Sequence, residues 1–201
     1  MRPSRQPLII AGLLLGLGLG GFIDGIVFHQ LLQLHNMLSA VLPPNTLANA
    51  EINMFWDGLF HAFTWVATLA GVVALWHAGT RDTASWSGRT LLGAGLIGWG
   101  GFNLVEGVID HHLLQIHHVV ERLHLSGYDY AFLGFGAALV VLGGSLVRAA
   151  RDEPRRPRSR GGASTRDPGW FGHHYGRVTG TGVEPGAGDA EAGTGRSGPL
   201  S

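Results

Sequence analysis

Four stretches of the chain contain few charged side chains and are rich in Leu, Val, Ile, Phe and Gly. Each is close to the ~20 residues that an α-helix needs to cross a bilayer. A soluble protein would have to bury helices of this kind on every side. The pattern therefore predicts four membrane-spanning helices, at residues 8–34, 55–76, 91–114 and 129–147.

The chain after these stretches has a different character. From residue 149 to residue 201 it is dominated by Gly, Arg, Pro and Ser. Such a composition buries too little apolar surface to offset the entropy lost on ordering. We therefore predict an all-α integral membrane four-helix bundle over residues 1–148, followed by a disordered tail over residues 149–201.

Composition narrows the classes of function. The chain of 201 residues contains no Cys, which excludes thiolate metal sites, iron–sulfur clusters and Cys nucleophiles. Its formal net charge is zero, which argues against binding nucleic acid through bulk electrostatics. The expected partners are the lipid bilayer and either further copies of the chain or another membrane protein.

The positions of the Arg residues predict the orientation, because positively charged flanks of membrane helices stay in the cytoplasm. The other side of the predicted bundle has two loops, residues 35–54 and 115–128. Together they contain a single Arg, Arg122. We therefore expect a plasma-membrane protein with both termini in the cytoplasm. Three pairs of Arg define the cytoplasmic side: Arg2 and Arg5, Arg81 and Arg89, and Arg148 and Arg151.

An internal repeat relates the two halves of the sequence. Residues 24–35 align without gaps to residues 106–117, so that Asp24 corresponds to Glu106. The second and fourth stretches match more weakly, with Trp56 and Asp57 against Tyr128 and Asp129. The repeating unit is therefore a helical hairpin, and the two hairpins should be related as a parallel repeat.

Ionisable residues within the spans cluster at one height. A rise of ~1.5 Å per residue puts Asp24 about 24 Å above an inner boundary near Leu8, and Glu106 about 22 Å above one near Leu91. Within a hydrocarbon core of ~30 Å, this layer lies under the outer interface. The same layer contains five more ionisable residues: His29, Asp57, His61, Asp110 and His111.

The layer is too rich in carboxylates to be charged without a cation, because no Lys or Arg lies at its level and the dielectric constant there is low. Neutral imidazoles and carboxylates together suit Zn²⁺, Fe²⁺, Mn²⁺ or Cu²⁺. We therefore predict a divalent metal site near the extracytoplasmic face. Its first ligands would be His29, His61, His111 and Glu106. The supporting or alternative ligands would be Asp24, Asp57, Asp110, His35, His117 and Asn103.

One difficulty concerns the phase of His29. In a regular α-helix, its side chain would lie about 140° away from that of Asp24. Gly25 and Gly107, which follow Asp24 and Glu106, would permit a local distortion of the two helices.

Several other uses of this layer compete with a metal site. Haem held by His29 and His111 is less favoured, because the carboxylates make a poor apolar pocket. A proton relay would end before the cytoplasm, because the inner halves of the first and third spans carry no ionisable residue. A purely structural hydrogen-bond network is the third alternative.

If the chain is an enzyme, metal-activated water is the natural chemistry, and Asp110 is the candidate general base. The leading hypothesis is an integral membrane protein with this metal site, which would be a metal-dependent hydrolase if it is an enzyme. The alternative is a non-enzymatic role in metal handling or in the assembly of a respiratory oxidase, or a structural membrane subunit.

The segments at residues 21–35, 56–61 and 101–118 resemble a bacterial family of predicted membrane proteins, domain of unknown function 2243. The Asp110-His-His-Leu-Leu114 segment is specific to that resemblance, which extends over about residues 8–147. The resemblance implies a four-helix inner-membrane protein and carries no known activity.

Overall fold

The computed structural model describes residues 5–80 and 86–152, and this part of the chain contains four long helices and no strand. Helix α1 runs over Gln6–Ile23 and continues as a π-helix over Asp24–Leu31. Helix α3 runs over Gly88–Glu106 and continues as a π-helix over Gly107–Leu113. Helices α2 and α4 cover Leu47–Thr80 and Gly127–Ala149. The predicted all-α four-helix fold is confirmed.

All four helices are long and apolar enough to cross a membrane. The largest departure from the predicted spans is the start of α2, which begins at Leu47 rather than at residue 55. Polar residues follow Leu47, so hydropathy alone does not reveal this turn. The Thr46 hydroxyl accepts a hydrogen bond from the Asn49 amide at 3.2 Å, and it thereby caps the helix.

Helices α1 and α3 pack against each other, α2 packs against α1, and α4 packs against α3. Small residues allow the backbones to come close. A Cβ atom on Gly16 would overlap the carbonyl oxygen of Gly95, and one on Gly143 would overlap that of Gly93. Contacts of this kind are typical of helix pairs in membranes. Helices in lipid associate without a hydrophobic driving force, and small residues allow the close packing that holds them together.

The C-terminal ends of α1 and α3 are built alike. Leu32 donates its amide to the carbonyl of Val27 at 2.8 Å, and Leu114 donates to Ile109 at 2.7 Å. Each π-helix is followed by a Gln with φ of 49°, Gln33 in the first case and Gln115 in the second. This left-handed conformation is uncommon for a residue other than Gly, so both helices stop at a sharp turn.

Two 3₁₀ turns, Glu121–Leu123 and Ala150–Asp152, complete the described elements. The predicted tail begins at residue 149, and nearly all of it, residues 153–201, lies outside the described part of the chain. Arg81, which contributed to the predicted orientation, also lies outside it. The disordered tail and the orientation stay predictions.

Candidate metal centre

The π-helical end of α1 solves the problem of the phase of His29. A π-helix forms hydrogen bonds to the carbonyl five residues back, so positions five apart return to the same side. His29 follows Asp24 by five residues, and its Nε2 lies 3.2 Å from Asp24 Oδ2. Glu106 and His111 have the same spacing at the end of α3. The distortion anticipated at Gly25 and Gly107 is therefore present.

Four imidazole rings come together at this end of the bundle. The rings of His35 and His117 are stacked, with centroids 4.8 Å apart and planes 7° from parallel. His29 lies 4.4 Å from His35, and His111 lies 4.9 Å from His117, both edge-to-face. All four side chains are nearly inaccessible to solvent, at 3% exposure or less.

Each of the four rings has an oxygen near its Nδ1 atom. His35 Nδ1 donates to the carbonyl of Val119 at 3.1 Å, and His117 Nδ1 donates to the carbonyl of Met37 at 3.1 Å. Because a carbonyl only accepts hydrogen bonds, these contacts fix the tautomer with the proton on Nδ1. The Nε2 atom of both rings then carries a lone pair.

The other two rings rest against carboxylates. His29 Nδ1 lies 2.9 Å from Asp57 Oδ1, and His111 Nδ1 lies 3.2 Å from Asp129 Oδ1. A carboxylate behind an imidazole orients the ring and raises its basicity, as is common behind metal-bound His. Asp57 thus holds the ring of His29 by a hydrogen bond, whereas Asp129 contacts the ring of His111 without one.

The Nε2 atoms of His29, His35, His111 and His117 are all buried without a hydrogen-bond partner in the described structure. Buried polar atoms almost always have a partner, so four ring nitrogens without a hydrogen bond in one place call for an explanation. Of the four, His29 Nε2 lies nearest to a carboxylate, 3.2 Å from Asp24 Oδ2. Asp24 Oδ2 and Glu106 Oε2 are also buried without a partner. Three overlapping triads have candidate ligand atoms within 4.8 Å of one another: His29, His35 and His117; Glu106, His111 and His117; and Asp24, His29 and Glu106.

The triads together contain six residues, which we call the donor set: Asp24, His29, His35, Glu106, His111 and His117. Each member from the first half of the chain has its repeat equivalent among the members from the second half. Mixed nitrogen and oxygen donors of this kind suit divalent transition metals.

Burial makes the charge of this region costly. Asp24, Asp57, Glu106 and Asp129 are exposed by 6% or less, and every ion-pair partner that the described residues provide to them is a His. Buried carboxylates need a compensating positive charge or protons. A divalent cation among the Nε2 atoms would satisfy both the carboxylates and the orphaned lone pairs.

The two loop imidazoles are suited to bind a cation. Burial lowers the pKa of His35 to about 4, and burial also lowers the pKa of His117. Both rings are therefore neutral at pH 7, which is the protonation state that a metal ligand needs.

Two carboxylates of the donor set differ in their surroundings. Asp24 lies against His29, whereas Glu106 Oε1 lies 3.6 Å from Nε2 of His117. Glu106 also lines an open cleft of about 560 Å³ between α1, α2 and α3. Asp110, which is half-buried, lies beside Glu106 along the same lining.

The structure separates the predicted ligands into groups. It brings His29, His111, Glu106, Asp24, His35 and His117 together. His61 is not among the triads of the described residues: its Nδ1 donates to the carbonyl of Asp57 at 2.7 Å, one turn back in α2. Asp57 holds His29 rather than joining a triad, and Asp110 lies in the cleft lining.

Sequence reasoning did not select Asp129 as a site residue. It lies at the start of α4, where Ser126 and Asp129 form a capping box, so its role looked local. Its Oδ1 nevertheless accepts from the Val119 amide at 3.0 Å and contacts His111. The correspondence of Asp129 with Asp57 in the internal repeat was the signal that could have identified it.

The carboxylate of Asp57 is fixed from the loop after α1. Its Oδ1 accepts from the Met37 amide at 2.9 Å, and its Oδ2 accepts from the Asn36 side chain at 2.8 Å. The loop segments that carry His35 and His117 are therefore tied to α2 and to the start of α4 by the same carboxylates that contact His29 and His111.

Comparison with known proteins agrees with this architecture. The family model described as Predicted membrane protein (DUF2243) matches residues 11–150. The chain belongs to this family. No curated protein and no solved structure matches the sequence. The match covers the donor set and all four helices except the first five residues of α1, and the family description names no activity.

Proposed function

We propose that this protein is an integral membrane metalloprotein whose donor set binds a divalent transition metal. The observation that carries the proposal is the group of four buried Nε2 atoms without partners, each in a ring whose Nδ1 lies against an oxygen. In a self-contained hydrogen-bond network these atoms would have donors. Zn²⁺, Fe²⁺, Mn²⁺ and Cu²⁺ accept this mixture of imidazole and carboxylate ligands.

We also propose that the two halves of the chain form an internal repeat. The protein would lie in the plasma membrane with both termini in the cytoplasm, and the metal centre would lie near the extracytoplasmic face. Each half supplies one carboxylate and two imidazoles to the donor set, and one further carboxylate that holds an imidazole. Equivalent positions in the two halves thus perform equivalent tasks, which is what a duplicated hairpin would produce.

Metal analysis of the full-length protein tests the proposal. The protein would be purified in detergent without a polyhistidine tag, and its metal content measured by inductively coupled plasma mass spectrometry. We expect at least one metal ion per chain in the wild type and a loss of most of it in His111→Ala. The matched control is His112→Ala, because His112 is the next residue, contacts Tyr130 and belongs to no triad.

Equal metal content in the wild type, His111→Ala and His112→Ala would contradict the proposal, as would metal-free wild type that does not take up added Zn²⁺, Fe²⁺, Mn²⁺ or Cu²⁺. Circular dichroism on the same samples shows whether each variant keeps its helices. A variant that has unfolded would be replaced by His111→Gln, which keeps a polar side chain of similar size.

The reaction class that the arrangement favours is hydrolysis. A metal bound by the donor set would act as a Lewis acid that activates water. Asp110 lies next to His111 in sequence and beside Glu106 in the cleft, so it is positioned to accept the proton of that water. Water would add to the carbonyl carbon of an ester, the carbon–oxygen bond would break, and Asp110 would return its proton to the leaving alcohol.

The alternative of metal delivery requires ligands that a partner protein can reach, whereas the four imidazoles of the donor set are buried. In the hydrolase proposal, water and the substrate would reach the metal through the cleft that Glu106 lines. The hydrolase proposal is tested with monodecanoin, an uncharged glycerol monoester. Zinc-loaded protein should release decanoic acid, and Asp110→Asn should be slower by about 10²–10⁴-fold with its metal retained. Equal rates in the two proteins would exclude Asp110 as the base.

A further inference from the structure

The cleft between α1, α2 and α3 combines an apolar wall with acidic residues at one end. Leu13 and Leu17 of α1, Phe60 of α2 and Phe102 of α3 contribute to the wall. On α3 the lining begins at Ile97 and reaches Glu106 and Asp110. This stretch of helix rises about 20 Å, which is close to the length of an extended chain of about 16 carbon atoms.

The acidic end is the feature that distinguishes this cleft from the lipid-facing surface elsewhere. Glu106 is 6% exposed, and its Oε2 is buried without a hydrogen-bond partner in the described structure. Asp110, the more accessible of the two carboxylates, has no side-chain hydrogen bond there either. Unpaired carboxylate oxygens in an apolar environment are costly, and a ligand that donates hydrogen bonds would remove that cost.

We propose that the cleft binds an uncharged, single-chain amphiphile that enters from the bilayer and whose hydroxyl group donates to Glu106 and Asp110. The apolar chain would lie along the leucines and phenylalanines. An anionic head is disfavoured because two carboxylates line the end that would receive it. This inference rests on the proposed function in one respect. Because Glu106 belongs to both the cleft and the donor set, the amphiphile would be the substrate of the proposed metal centre.

The chain offers a variant that fills the cleft and leaves the centre untouched. Gly101 lines the cleft, and a Cβ atom added to it meets no heavy atom within 4 Å. Gly101→Leu should therefore fold and occupy part of the cleft. The matched control is Gly134→Leu on α4, where an added Cβ also meets nothing and the residue is not part of the lining.

The experiment uses the full-length, metal-free protein in phosphatidylcholine nanodiscs, so that monodecanoin binds without being hydrolysed. Native mass spectrometry counts bound monodecanoin and, separately, decyl phosphate, which has a chain of the same length and an anionic head. We expect one monodecanoin per chain, with affinity at least tenfold weaker in Gly101→Leu, unchanged in Gly134→Leu, and tenfold weaker for decyl phosphate.

Equal binding of monodecanoin to Gly101→Leu and the wild type would overturn the inference, because the probe would then lie elsewhere or only partition into the bilayer. Equal affinity for decyl phosphate would overturn the choice of an uncharged head. Retention of phosphatidylcholine in the cleft in place of monodecanoin would have the same consequence. The metal content of Gly101→Leu should match that of the wild type. A loss of metal binding can therefore be distinguished from a loss of monodecanoin binding.

Discussion

The two halves of the bundle supply the same donors but differ beside them. Asp24, His29 and His35 have counterparts in Glu106, His111 and His117, and both groups include residues of a π-helix and of the loop that follows. The position equivalent to Asp110, however, is Phe28. The shared residues explain a symmetric centre, whereas the unshared carboxylate lies where the cleft ends. The residues proposed to bind the metal are therefore shared by the two halves, whereas Asp110, proposed to recognise a substrate, is not.

The helices also differ in how they pack. Leu17 lines the cleft in the first half, and its counterpart is Trp99. The ring of Trp99 lies against Gly20 and contacts Phe135 at a centroid distance of 5.7 Å. The two halves therefore differ in the side chain at this position: Leu17 lines the cleft, whereas Trp99 packs against α1 and α4.

The largest expected effect comes from the helix crossing that both halves share. Gly16→Leu would force α1 away from the backbone of α3, because even a Cβ atom overlaps Gly95 there. We expect a loss of about 3 kcal/mol of stability or failure to fold. Thermal unfolding followed by circular dichroism measures this loss. Gly101→Leu is the control and should unfold near the wild-type temperature, whereas equal unfolding of the two variants would contradict the close crossing.

The next effect tests whether the two halves hold the metal in the same way. Asp57→Asn and Asp129→Asn should each weaken metal affinity by about 10–100-fold, because each removes the charge behind an imidazole. Competition with a chelator measures both affinities. Weaker metal affinity in one variant only would show that the halves are not equivalent. Unchanged metal affinity in both would show that these carboxylates do not support the metal ligands.

A smaller effect is expected where the halves differ. Asp110→Phe gives the second half the residue found in the first. Metal content should be unchanged, because Asp110 is in none of the triads. Monodecanoin affinity should fall by about tenfold with the lost acceptor. Loss of metal together with loss of monodecanoin would place Asp110 in the centre instead.

The smallest effect concerns the helix caps. Ser126→Ala and Ser87→Ala each remove a cap, from α4 and α3 respectively, and each should cost about 1 kcal/mol of stability. Only Ser126 donates to Asp129, at 3.1 Å, so only Ser126→Ala should also weaken metal affinity, by a few-fold. Identical metal affinities in the two variants would mean that the cap of α4 does not position His111.

Much of the fold follows from hydropathy, because long apolar stretches permit few structures. The start of α2 does not, since its first turns are polar and depend on the cap at Thr46. The π-helical ends were also beyond a phase calculation that assumes 3.6 residues per turn. Only the glycines after Asp24 and Glu106 hinted that the helices depart from regular geometry there.

The candidate site was predictable to a similar degree. Residue type and height selected Asp24, His29, Glu106 and His111, which the structure brings together. Asp57 and His61 of α2 were also among the predicted ligands, but His61 donates to its own helix backbone instead. Spacing within a helix shows which residues share a face, and it does not show which nitrogen of a ring is free. That information comes from the loops that provide the carbonyls of Met37 and Val119.

A crystal structure of the zinc-loaded protein, with anomalous data collected at the zinc edge, would show whether the donor set binds a metal. We predict an anomalous peak among the four rings, about 2.0–2.1 Å from Nε2 atoms of the donor set, with the Nδ1 atoms still held by oxygens. A map with no peak there, in which His29 Nε2 is bonded through a proton to Asp24, would contradict the account.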